Sequence, residues 1–102
     1  MILLPLKSAE INFKNNIFLI HGDLDFSNIN MLYKKSLPYL PSVGRLIFDF
    51  SQVKSSNSAG LALMIEWQKY ALAHHQKLEF QHLPANLLVI AQAANLLSLL
   101  KI

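Results

Sequence analysis

The chain has no cysteine, so neither a disulfide scaffold nor a thiolate metal site is open to it. It has only three glycines, and none of them builds a glycine-rich phosphate loop. It has a single arginine, Arg45. Its lysines are scattered over every segment, so the pI of about 9.3 reads as a solvated surface rather than a nucleic-acid interface, which favours arginine and grouped charge. No apolar run approaches the roughly 18–20 residues needed to span a membrane. The opening Met1-Ile2-Leu3-Leu4-Pro5-Leu6 is too short for a signal-peptide core and has no basic residue before it. These absences lead us to expect a cytoplasmic protein that does not insert into a membrane.

What is present is apolar. Hydrophobic residues make up 53% of the 102 positions and charged ones 15%, a balance that excludes a disordered chain. The length sets the expectation of one domain over 1–102, with a core at about 9–100. The apolar content exceeds what a small core needs, which points to an oligomer or a standing partner.

The chain is organised around residues 49–64. A buried strand, 46–50, is apolar toward both faces. About seven polar residues break it, and an apolar helix begins near Gly60 and runs to about His75. Ser58 therefore falls where the free amides of a helix N-terminus point outward. There it can cap the helix, carry a phosphate or present its hydroxyl to a partner. Leu63, Trp67, Tyr70 and His74 form one stripe of this helix, and Leu61, Ile65 and Leu72 another. Its first two turns are apolar nearly all round, which fits either a helix wedged among neighbours or a docking face.

Upstream, residues 9–14 alternate as a strand with Ile11 and Phe13 inward. Asn15-Asn16 suits a tight turn, and 17–20 form a second strand before the chain leaves the sheet at His21. A helix capped by Asp25 or Ser27 carries Ile29, Leu32, Tyr33 and Leu37 on one stripe and stops at Pro38 and Pro41. Downstream, 77–82 alternate as a strand. Pro84 opens a last helix with Leu87, Leu88, Ile90, Ala91 and Ala94 buried, Asn95 ends it, and 96–100 close as a short turn or helix. The order β-β-α-β-α-β-α is an α/β fold, with a small mixed sheet and helices packed on it.

Chemistry finds little support. His74 and His75 are adjacent and diverge on a helix, and His21 and His82 are isolated, so no metal set forms. Ser58 lacks a nucleophile elbow and an assigned histidine. Asp23, Asp25 and Asp49 are read at strand ends, where α/β ligands bind, and a small-ligand site near Asp23 is one reading of them; caps and turns are another. No cofactor is expected.

The run Asp49-x-Ser51-x-Val53, then Asn57-Ser58-Ala59-Gly60-Leu61, resembles the signature of STAS domains, the fold of anti-anti-sigma factors such as SpoIIAA. The corner Gly22-Asp23-Leu24-Asp25 resembles the family's turn, and the likeness extends over Ala9 to Leu100. Gly60-Leu61-Ala62-Leu63-Met64 and Asn86-Leu87-x-x-Ile90-Ala91-x-x-x-Asn95-Leu96 are similar to the STAS subunits of Mla-type phospholipid ABC transporters.

That resemblance implies a non-catalytic subunit that binds the ABC transporter ATPase, with its permease, and supports assembly and activity. The complex would maintain outer-membrane lipid asymmetry, and this chain would be peripheral to the inner membrane. It places Asn57, Ser58, Ala59, Gly60 and Leu61 at the partner surface. The alternative it implies is an anti-sigma factor antagonist with Ser58 as phosphoacceptor, answering to a serine kinase or anti-sigma factor. Asn57 stands where the family has the aspartate that accompanies that phosphorylation.

Overall fold

A computed structural model describes residues 8–100. The elements are β1 (Ala9–Lys14), β2 (Ile17–Asp23), α1 (Ile29–Ser36), a 3-10 turn (Leu40–Ser42), β3 (Arg45–Ser55), α2 (Ser58–Ala73), β4 (Lys77–Gln81) and α3 (Ala85–Ala93). The expected order is the observed one.

The sheet runs β1-β2-β3-β4, with β1 antiparallel to β2 and the other two pairings parallel. The hairpin closes through Asn15 and Asn16, both at positive φ (54° and 63°), the conformation a two-residue turn between twisted strands demands. At the other end of β2, Gly22 has φ 93°, and a Cβ there would lie 2.3 Å from the Ser8 carbonyl oxygen. Only glycine lets β1 and β2 approach so closely.

Phe18, Ile20, Leu46, Phe48 and Phe50 are buried on the face that meets the helices, together with Leu32, Leu63, Met64, Trp67, Leu87 and Leu100. Trp67 stacks on Phe48 with ring centroids 3.9 Å apart, and Phe48 stacks on Phe18 at 4.9 Å. The Trp67 indole N–H donates to Ser36 Oγ at 3.0 Å, and that hydroxyl donates to the Tyr33 carbonyl. The polar tip of a buried ring is thus satisfied inside the core.

Four expectations are corrected. The polar run 51–55 is strand, not loop: β3 continues to Ser55 and pairs with His21, Gly22 and Asp23, which stay in the sheet. Asp49 therefore lies within β3 rather than at a strand end. The α1 cap is neither Asp25 nor Ser27 but Asn28, whose side chain closes the turn before the helix by donating to the Asp23 carbonyl (2.8 Å) and accepting from the Asp25 amide (3.1 Å). On α3 Leu88 is exposed, as is Ala94 at the C-cap, because the side turned to the core carries Leu87 and Ala91, with Ile90 half-buried beside them.

With few glycines, the chain ends its helices on other residues. His75 (φ 55°) follows α2 and Asn95 (φ 62°) follows α3. The amides of Gln76 and Leu96 reach back to the carbonyls of Ala71 and Ala91, both at 2.9 Å, which satisfies the open helix ends.

Candidate functional site

The chain crosses from β3 into α2 through Ser56 and Asn57. Asn57 is extended (φ −138°, ψ −158°), and its side-chain oxygen accepts the Ala59 amide at 2.8 Å. It is the N-cap of α2. Ser58 is the first helical residue, exposed, and its hydroxyl makes no hydrogen bond among the described residues. The reading of Ser58 as the cap is thereby corrected by one position, and the correction matters: capping occupies Asn57 and leaves the Ser58 hydroxyl free.

The five residues expected at the partner surface divide into two groups. Asn57 and Ser58 face outward, while Ala59, Gly60 and Leu61 are buried by the chain's own packing. The apolar first turns of α2 are covered because the helix lies between the sheet, α1 and α3. At Gly60 an added Cβ would meet Leu87 at 3.0 Å.

Two tethers fix this corner. The Ser55 hydroxyl donates to the Asp23 carboxylate, and the Ser55 carbonyl accepts the Leu24 amide at 2.9 Å. The Asn86 side chain donates to the Ser56 carbonyl at 2.6 Å, joining the start of α3 to the approach to α2. Ser55 joins this corner although no sequence pattern marked it, since a serine in a polar run is ordinary. Asn86 belongs to the closing-helix pattern, but its tether to Ser56 is a long-range contact that the pattern does not encode. The corner Asp23-Leu24-Asp25 thus touches the Ser58 loop through Ser55, while Asp25 accepts the Ser27 amide.

No histidine is placed to activate Ser58. His21 bonds Asn12, His74 bonds the Tyr70 carbonyl and His82 bonds Asp49. Among the described residues no three His, Asp or Glu side chains group as a metal set. Burial pushes the Asp49 carboxyl up, but the Ser51 amide and hydroxyl and the neighbouring His82 outweigh it, so its pKa lies below the ordinary value. Burial first, then Glu66 and Tyr70, push the Tyr33 phenol up on the side of α1 that meets α2.

Two open cavities lie away from Ser58. One of about 400 Å³ is lined by Pro41, Val43, Tyr70, His74, His75 and Gln76, among others. One of about 340 Å³ sits on the helix-free face of the sheet, over Ile17 and Leu19 and beside Lys14, His21 and Asp49.

Residues 11–101 match the family model described as "Mlab, STAS domain". Among curated proteins, no sequence matches the chain. The fold is similar to that in "Structure of the Anti-Sigma Factor Antagonist SpoIIAA in its Unphosphorylated Form", with a TM-score of 0.63 over 83% of this chain and 82% of that one. At 14% identity, that likeness concerns the fold.

Proposed function

Since the chain belongs to the STAS domain family, we propose that it is a non-catalytic subunit of an ABC-type intermembrane phospholipid transport (Mla) complex. In this role it binds the ATPase subunit, supports its assembly and activity, and so maintains outer-membrane lipid asymmetry. The observation that carries the reading is the exposed, unbonded Ser58 hydroxyl at the first turn of α2, left free because Asn57 performs the capping. The Mlab description of the matched family model supports the transporter role in particular.

In this reading Asn57 and Ser58 meet the ATPase directly. Ala59, Gly60 and Leu61 act from beneath, by setting the position of the helix start. The subunit is cytoplasmic and reaches the inner membrane through the complex; no helix among the described residues is long and apolar enough to cross a membrane.

One observation favours a second reading. The fold likeness is to an anti-sigma factor antagonist, and a free serine hydroxyl is what a serine kinase needs. A phosphate on Ser58 would add about −1.5 to −2 charges at the contact. Asn57, in place of the family's aspartate, weighs against this switch.

The test is mild-detergent affinity purification of the tagged full chain, with mass spectrometry of the proteins retained. Recovery of an ABC ATPase with its permease is the expected outcome, and Ser58→Glu lowers it by forcing a charge into the contact. Equal recovery with Ser58→Glu removes Ser58 from the surface. Recovery of a serine kinase or anti-sigma factor instead, with phosphate on Ser58, assigns the protein to the second reading.

A further inference from the structure

From residue 83 to residue 100 the sequence contains no charged side chain. This stretch holds α3, which turns Leu87 and Ala91 into the core and leaves Ala85, Leu88, Val89 and Gln92 exposed at helical spacing on its outer side. Val89 is 64% exposed, and Leu99, in the turn that follows, is 50% exposed. A helix that is apolar on all sides ordinarily has all sides covered. Here one side is open.

We infer that the outer face of α3, centred on Leu88 and Val89, is a docking surface for an uncharged, apolar face of the ATPase. The inference rests on the transporter reading and extends its contact from Ser58 onto a second element. Continuity argues for it: α3 begins beside the Ser58 loop, joined through Asn86 to Ser56 and through Leu87 to Gly60. Charge argues for the partner's chemistry. In a chain carrying nine basic residues, a face without any offers nothing to an acidic partner, and a charged group brought against it would be buried unpaired. A bilayer is a poorer match, because helices that lie in a membrane interface carry lysine or arginine on their polar face, and α3 has none.

The experiment uses the tagged full chain and quantifies ATPase recovered by wild type, Val89→Glu and Tyr39→Glu. Tyr39 is an exposed aromatic at the opposite end of the sheet from Ser58. Wild type and Tyr39→Glu recover equal ATPase, and Val89→Glu recovers less by about tenfold or more. Wild-type recovery is unchanged when salt rises from about 0.1 to about 1 M, since the contact is not ionic. Gln92→Glu, exposed on the same face, carries the same expected loss and decides the matter if Val89→Glu lowers the unfolding temperature.

Full recovery by Val89→Glu, or a steep loss of wild-type recovery in salt, overturns the inference and leaves the transporter reading standing. Absence of ATPase from the wild-type sample removes both. Binding of the chain alone to phosphatidylethanolamine–phosphatidylglycerol vesicles, lost in Val89→Glu, would assign the face to lipid. Elution as a dimer, lost in the same variant, would assign it to a second copy.

Discussion

A Cβ at Gly60 would lie 3.0 Å from Cδ2 of Leu87 and 3.2 Å from its Cδ1, so α2 and α3 touch because position 60 has no side chain. The Ser56 hydroxyl, 3.2 Å from the same point, closes the third side. Gly60→Val therefore pushes α3 away from α2 rather than filling a space. The expected cost is roughly 1–3 kcal/mol, the range for overpacking a well-packed contact. Thermal unfolding checks it: a fall of about 4–8 °C per kcal/mol is expected for a domain of this size, and an unchanged transition would show the seam to be soft.

Asn57 and Ser58 are neighbours with separable roles. Asn57→Ala removes the cap and is expected to cost about 1 kcal/mol. Asn57→Asp keeps an acceptor and adds negative charge at the positive end of α2, a gain of about 0.3–1 kcal/mol. Ser58→Ala removes an unbonded hydroxyl and stays within about 0.5 kcal/mol of wild type. Urea unfolding of the three variants measures the order directly, and a large loss in Ser58→Ala would return the capping role to Ser58.

Asp49 gives the fold an acid-sensitive contact. Its pKa in the folded chain lies below the ordinary value of 3.8, so the native state binds fewer protons there than the unfolded state does. The stabilisation is complete above the ordinary value and is lost as pH falls through the lower, folded one. Asp49→Asn flattens the decline of the urea midpoint as pH falls below the ordinary carboxylate value of 3.8. An equally steep decline in the variant would locate the acid sensitivity elsewhere.

The alternation of strands and helices was legible because each element follows its own period. The hairpin was legible because Asn15 and Asn16 tolerate positive φ. The length of β3 was not: residues 51–55 are polar, and polarity reports exposure, whereas the strand is held there by backbone pairing with β2. At the site, Ser58 stood where the sequence placed it. The cap fell one residue earlier, since asparagine and serine cap about equally well and composition does not choose between them. Gly60 is packed against Leu87 of α3, which arrives from more than twenty residues away and which local pattern does not encode. The outward turn of Leu88 on α3 was misread for the related reason that a helix apolar all round gives no phase to read.

Trp67 is the chain's one tryptophan, fully buried, stacked on Phe48 of β3 and bonded from α2 to Ser36 of α1. Three elements thus converge on a single intrinsic chromophore. Its emission senses the separation of any of them, so the cooperativity of the whole domain can be followed optically, without a label, in every variant that leaves this ring in place.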